Sequence, residues 1–140
     1  MVSKSLTVRL SLSGTHLASR AARNRLRQAL IVDWCLPEAE SEDLISAVGE
    51  AVTNAYRHGC RERPGPIIVL ARLDPPTRTV AVMVSDPGPG FDPTKPFRTE
   101  YIDGQWLQAS GRLIMSKCTD SVCYYKTPPW FTCKMTKRFC

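Results

Sequence analysis

The chain has 140 residues, of which 43% are hydrophobic and 23% charged, and its formal net charge is +6 at pH 7. This length and composition are those of one globular domain, residues 1–140, with enough apolar side chains to bury a core. No run of 18 or more apolar residues occurs, which argues against a membrane span. We expect a cytoplasmic protein, because the first residues also lack the apolar block of a signal peptide.

The first part of the chain predicts a strand followed by two helices. Apolar and polar residues alternate over residues 6–12, which indicates a half-buried strand. Apolar positions recur at helical spacing over residues 16–33. A second helix is predicted to begin with a cap at Ser41, to run to about His58 and to end at Gly59.

The remaining chain predicts a sheet with one more helix. Residues 67–71 and 80–84 are apolar strands joined by a turn, and residues 86–108 form a long Pro- and Gly-rich loop of the kind that serves as a lid. A short helix over 112–119 precedes a closing hairpin of residues 122–125 and 131–138. The order β-α-α-β-β-lid-α-β-β predicts an α+β domain, a two-layer α/β sandwich with helices on one face of a mixed, mainly antiparallel sheet.

The positive charge is scattered rather than gathered into one basic block. Arginines cluster loosely over residues 20–27, and further basic residues lie at 61–63 and 134–138. Proteins that bind single-stranded nucleic acid interleave such residues with aromatics. The pattern therefore favours a solvated surface or a protein partner over nucleic acid.

The six cysteines predict neither a disulfide framework nor a zinc site. None forms a Cys-x-x-Cys pair, and only His16 and His58 are available to assist them. Without a secretory signal, we expect reduced thiols that behave as small hydrophobes.

Three polar residues follow one another along the second predicted helix. Glu50, Asn54 and His58 are spaced four residues apart, which places them along one border of the apolar stripe. A carboxylate at such an edge can orient an attacking hydroxyl or accept its proton. An amide oxygen one turn further on suits Mg²⁺, which takes its other ligands from water and phosphates. The spacing by itself fits an ordinary solvent-facing row equally well, with His58 stabilising the helix C-terminus.

A second polar segment begins where the strand over 80–84 ends. Asp86 follows that strand and opens the run Asp-Pro-Gly-Pro-Gly-Phe-Asp. As a hydrogen-bond acceptor, Asp86 suits the exocyclic amine of adenine and disfavours guanine, which presents a carbonyl oxygen there. Gly88 and Gly90 let the backbone turn sharply and approach a ligand. A plain Pro-Gly turn is the alternative interpretation of this segment alone.

Together the two segments resemble the ATP-binding fold shared by sensor histidine kinases, the gyrase ATPase domain and Hsp90. Their details are most similar to the bacterial anti-sigma-factor serine kinases: residues 54–59 read Asn-Ala-x-x-His-Gly and residues 86–93 read Asp-x-Gly-x-Gly-Phe-Asp-Pro. The sequence has no helix pair with a phosphoacceptor histidine, which argues against a sensor histidine kinase.

The resemblance implies a site for ATP and Mg²⁺. It implies that Glu50 is the catalytic carboxylate, that Asn54 binds Mg²⁺ and that Asp86 reads adenine. Gly88 and Gly90 match the glycines under the nucleotide. His58 belongs with them among the expected cofactor-binding residues, and residues 92–108 match the lid over the phosphates.

The chain departs from the family pattern after the lid. Gly111 matches one glycine of a Gly-x-Gly-Leu-like motif, but Ala109 stands where the other is expected, and alanine at positive φ costs roughly 1 kcal/mol. Arg112 is expected either to contact phosphate or to block the pocket. Residues 128–131, Pro-Pro-Trp-Phe, replace a glycine-threonine approach to adenine, which leaves Thr132 as the candidate hydroxyl.

The function implied by the resemblance is an ATP-dependent serine protein kinase that acts as an anti-sigma factor. Such a protein binds a sigma factor and phosphorylates a serine of an anti-anti-sigma partner. The alternative is a partner-binding module of the same fold, with or without nucleotide, that has no kinase activity. A hydrolytic or chaperone-like ATPase is a third hypothesis. We also expect a weak homodimer, and no nucleic acid or membrane as partner.

Overall fold

A computed structural model of the chain describes residues 6–60, 63–90, 99–102, 105–108 and 110–140, and side chains over 6–60, 63–90 and 114–140. The helices are α1 (Ala18–Arg27), α2 (Glu38–Asn54) and α3 (Ser110–Cys118). The strands are β1 (Thr7–Leu12), β2 (Ile67–Asp74), β3 (Thr79–Asp86), β4 (Thr99–Ile102), β5 (Gln105–Gln108), β6 (Ser121–Thr127) and β7 (Trp130–Arg138). Two π-helical segments, Gln28–Asp33 and Ala55–Cys60, continue α1 and α2.

Five strands form one sheet in the order β1-β2-β3-β7-β6, and each neighbouring pair is antiparallel. The predicted α+β fold is therefore confirmed. The central pair is β3 with β7, in which Val84 lies opposite Cys133 and Asp86 lies opposite Phe131. This register decides which side chains of β7 share a face with Asp86.

The core lies between one face of the sheet and the helices. Because successive side chains of a strand point to opposite faces, the strand residues of the buried core cluster alternate along each strand, and they are Val8, Ile67, Val69, Ala71, Val80, Val82, Val84, Cys133 and Met135. Helix residues that belong to the same buried cluster are Leu26, Leu30, Leu44, Ile45, Val48, Val52 and Met115. All three helices thus cover this face, as predicted. Within the described ranges, every helix falls short of the length and apolarity needed to cross a bilayer.

The predicted helix cap at Ser41 is wrong. Helix α2 begins at Glu38, directly after Pro37, and the Ser41 amide donates to the Pro37 carbonyl oxygen at 2.9 Å, an ordinary helical bond. A proline is tolerated at a helix start because the first amides have no intrahelical acceptor, and Glu38 and Glu40 in the first turn favour the helix dipole. Ser41 is instead fully buried, and its hydroxyl has no hydrogen-bond partner among the described residues.

Two predicted segments differ in their local geometry. The helix predicted to end at Gly59 passes into a π-helical turn after Asn54, and Gly59 lies inside that turn. The loop predicted over residues 86–108 contains, in its described part, the antiparallel hairpin of β4 and β5. The rest of the predicted lid, residues 91–98 and 103–104, lies outside the described residues.

Candidate functional site

Helix α1 crosses α2 closely at Gly49, immediately before Glu50. The Gly49 carbonyl oxygen accepts hydrogen bonds from the Ser19 and Thr53 hydroxyls, both at 2.9 Å. A Cβ atom on Gly49 would lie 2.8 Å from Cδ of Arg23, so any larger residue would have to displace the Arg23 side chain. This crossing fixes the turn of α2 that carries Glu50.

Glu50 and Asn54 lie one turn apart on α2, and both are half-buried. Asn54 is the last residue of α2, and the π-helical turn Ala55–Cys60 follows it. A single π-turn inserted in a helix often marks a functional site. Here the turn carries the chain from the Glu50–Asn54 edge to the end of β3, where Asp86 lies.

Asp86 is held between two glycine backbones. A Cβ atom on Gly59 would lie 2.1 Å from Oδ1 of Asp86, and one on Gly88 would lie 2.4 Å from Cα of Gly59. The Gly88 amide donates to Oδ1 of Asp86 at 2.8 Å. Only glycine permits such approaches, so these contacts join the two polar segments of the sequence into one site. The sequence pattern around Gly59 indicates a helix end and gives no sign that this glycine lies beside Asp86.

Asp86 is 6% exposed, and the surroundings of its carboxyl change its acidity. Burial raises its pKa above the usual range, while the Gly88 hydrogen bond and the charge of nearby His58 act in the opposite direction. Burial, and then the charge of Asp86, raise the pKa of the Cys60 thiol. A buried carboxyl with a perturbed pKa at the end of a strand is a candidate binding group.

Gly90 adopts a left-handed conformation with a φ of 75°, and it lies against an aromatic ring. A Cβ atom on Gly90 would lie 2.2 Å from Cδ2 of Phe131. Phe131 is directly opposite Asp86 on β7, and its ring stacks on Tyr124 with centroids 6.1 Å apart and planes 10° apart. Gly88 and Gly90 therefore both lie close to the surroundings of Asp86, and their approach to a ligand stays a prediction.

The predicted hydroxyl of Thr132 points away from this site. Thr132 lies opposite Ser85, and the two hydroxyl oxygens are 2.7 Å apart. Because neighbouring residues of a strand face opposite sides, Ser85 and Thr132 share the sheet face that Asp86 and Phe131 do not. The residue of β7 beside Asp86 is thus aromatic rather than polar.

Gly111 and Arg112 lie in the first turn of α3, and their side chains are outside the described residues. Ala109 and the first lid residues are likewise outside. The expected phosphate contacts of these positions stay predictions. Among the described residues, no three His, Cys, Asp or Glu side chains form a metal-binding group. An Mg²⁺ ion would therefore need ligands such as the Asn54 amide together with phosphate and water oxygens.

A shallow groove of about 370 Å³ lies elsewhere, between α1 and the start of α2. Its lining residues are Asn24, Arg27, Gln28, Ile31, Val32, Glu38 and Glu42, none of which is a predicted site residue. The exposed ion pair of Arg27 with Glu42, at 2.8 Å, spans it. Exposed pairs of this kind contribute about 1 kcal/mol or less. None of the lining residues contacts Asp86, so the groove is separate from the Asp86 site.

The chain matches the family model described as Histidine kinase-like ATPase domain over residues 13–137. It is similar to the crystal structure of the RsbU and RsbW domains of Rv1364c from Mycobacterium tuberculosis, with 21% identity and a TM-score of 0.71. That alignment covers 95% of this chain and 32% of the other, so this chain spans about a third of its length.

A second similar structure is that of the SiaB-SiaC complex from Pseudomonas aeruginosa, with 12% identity and a TM-score of 0.57. The alignment covers 93% of this chain and 88% of that one. At these identities the likeness shows a shared fold. No curated protein matches the sequence.

Proposed function

The chain belongs to the histidine kinase-like ATPase domain family, and we propose that it binds Mg-ATP and transfers the γ-phosphate to a serine of a protein partner. The family assignment confirms the ATPase-type fold indicated by residues 50–59 and 86–92. One observation carries the proposal: the Asp86 carboxyl is enclosed by the backbones of Gly59 and Gly88. Gly59 lies in the π-helical turn that continues α2, the helix that carries Glu50 and Asn54.

In the proposed complex, the base lies against Asp86 and the phosphates lie toward α2. Asp86 accepts a hydrogen bond from the exocyclic amine of adenine, and a carbonyl oxygen at that position would be repelled. Gly88 and Gly90 allow the backbone to pass close to the nucleotide. His58, whose charge reaches Asp86, lies at the same end of the site.

Asn54 and Glu50 are suited to the chemistry at the phosphates. Bound Mg-ATP supplies the phosphoryl group, and its metal neutralises charge on the phosphate oxygens. We assign the Asn54 amide oxygen as the protein ligand to Mg²⁺, because Asn54 is half-buried at the end of α2, where the turn toward Asp86 begins. We assign Glu50, one turn earlier, to orienting the partner's serine hydroxyl and accepting its proton.

The start of α3 is proposed to bind the phosphates. A helix N-terminus presents unpaired amides and a partial positive charge to an anion. Helix α3 begins at Ser110, so Gly111 and Arg112 lie in that first turn. Gly111 would allow close approach of the backbone, and Arg112 would contribute a positive charge.

We propose a role in regulation by protein binding, as an anti-sigma factor whose partners are a sigma factor, an anti-anti-sigma factor or both. The similarity to an RsbW domain and to a protein solved as the SiaB-SiaC complex supports a protein partner. A weak homodimer through β1 and α1 is part of the proposal. Sedimentation that shows a monomer at high concentration would contradict the dimer.

A second candidate function is a partner-binding module without kinase activity. The observation that favours it is Phe131, an aromatic ring beside Asp86 in place of a polar group. The two candidates differ in one measurable step. Transfer of label from γ-labelled ATP to a serine of a co-purified partner supports the kinase, and nucleotide binding without transfer supports the module.

The first test is calorimetric titration of ATP and GTP, with and without Mg²⁺, into the wild type, Asp86→Asn and Asp43→Asn. Asp43 is an exposed carboxylate on α2 and serves as the matched control. We expect Mg-dependent binding of ATP that Asp86→Asn weakens by more than about 1 kcal/mol, with no change in Asp43→Asn. Absence of nucleotide binding by the wild type would contradict the proposed function.

A further inference from the structure

The residue directly opposite Asp86 in the sheet is Phe131. Directly opposed residues of antiparallel strands have Cβ atoms roughly 4.5–5.5 Å apart on the same face of the sheet. A group that reaches the Asp86 carboxyl along this face therefore also meets the side chain of Phe131. The neighbouring hydroxyl of Thr132 cannot serve in its place, because it lies on the other face with Ser85.

The ring of Phe131 is fixed on two sides. It is 6% exposed, and three of its atoms, Cδ2, Cε2 and Cγ, lie 2.2, 2.5 and 2.7 Å from where a Cβ of Gly90 would be. The near-parallel ring of Tyr124 also lies against it. Gly90 has a φ of 75°, which other residues rarely adopt. Because the ring lies so close to the Gly90 backbone, displacement of the ring would disturb the turn that follows Asp86.

We propose that Phe131 is a specificity-determining residue of the base site, an apolar wall that the edge of the base meets beside Asp86. The inference rests on the proposed nucleotide binding. When the amine of a base donates to Asp86, the other polar atoms on the same edge of the base face the ring of Phe131. Any further donor on the edge loses its water there and gains no acceptor from the Phe131 side chain, because an aromatic ring edge offers none.

The wall selects a purine with one amine on that edge. Adenine meets Asp86 with its 6-amino group and carries only a C–H at position 2. A 2-amino group keeps the contact with Asp86 and adds an unpaired donor, which we expect to weaken binding by at least about tenfold. Asp86 alone would not produce this difference, since both bases present the same 6-amino group.

The test compares Mg-ATP with its 2-amino derivative in the wild type and in three variants. Phe131→Thr introduces a hydroxyl, Phe131→Leu keeps an apolar wall, and Phe139→Leu makes the same apolar change at a buried residue beyond the far end of β7. Dissociation constants are measured by calorimetry, and thermal unfolding verifies that each variant is folded. The quantity compared is the ratio of the two constants, which a loss of packing alone would leave unchanged.

We expect the wild type, Phe131→Leu and Phe139→Leu to favour ATP by at least about tenfold, and Phe131→Thr to reduce the ratio below about threefold. If Phe131→Thr does not fold, the ratios of the wild type and Phe131→Leu decide. A wild-type ratio near one overturns the inference while nucleotide binding stands, as does an unchanged ratio in folded Phe131→Thr. Wild-type protein that binds neither nucleotide overturns both proposals.

Discussion

Gly59 and Asp86 are in such close contact that a Cβ atom on the glycine would lie 2.1 Å from Oδ1 of the carboxyl. The contact joins the π-helical turn after α2 to the end of β3. It encloses a carboxyl whose charged form burial disfavours. The site thus depends on a missing side chain as much as on the polar groups present.

Gly59→Ala should destabilise the protein and weaken nucleotide binding. The added methyl group must displace either the Asp86 carboxyl or the helical turn, and overpacking of this kind costs about 1–3 kcal/mol. Urea denaturation measures the stability, and calorimetry measures ATP affinity. Arg57→Ala, at an exposed position of the same turn, is the control and should change both by little. Equal stability of Gly59→Ala and the wild type would show that the turn has room for a side chain.

Asp86→Asn should become more stable relative to the wild type as pH rises. Because the pKa of Asp86 is raised in the folded protein, its stabilising contribution is complete below the unfolded value of about 3.9 and is lost as pH passes the folded value. The asparagine has no proton to lose, and its oxygen can still accept from the Gly88 amide. Unfolding free energies measured from about pH 4 upward test this, and a difference that does not change with pH would contradict it.

Glu50→Gln should reduce phosphotransfer while leaving ATP binding in place. Loss of a general base lowers the rate by about 10²–10⁴-fold, and the amide preserves the size of the side chain. The measurement is label transfer to a partner serine, together with calorimetric ATP affinity. Glu38→Gln, at an exposed position in the first turn of α2, should retain full activity. Transfer by Glu50→Gln at the wild-type rate would remove Glu50 from the mechanism.

Ser41→Ala should stabilise the protein. The buried Ser41 hydroxyl has no partner among the described residues, and an unsatisfied buried polar group costs about 1–3 kcal/mol. Alanine also has the higher helix propensity. A helix cap would give the opposite sign, since its loss costs about 1 kcal/mol. Thermal and urea unfolding decide between the two signs, with Ser46→Ala, at an exposed position of α2, as the measure of propensity alone.

The element types were predictable because their patterns are local. Alternating apolar residues identify the strands, and helical spacing identifies α1 and α2, since each period follows from backbone geometry. The start of α2 was misplaced at Ser41 because a serine before acidic residues has the same local pattern whether it caps a helix or lies within one. Burial of Ser41 against the rest of the fold decided the matter.

The sequence by itself determined the family and the α+β order of elements, and it singled out Glu50, Asn54 and Asp86 as candidates, because these depend on residue type and spacing. Only the tertiary structure decided what surrounds Asp86. The register of β3 with β7 places Phe131 beside it and turns Thr132 away, and a shift of one residue would exchange the two. The place of Gly59 depends on the meeting of a helical turn with a strand end, a contact that no local period encodes.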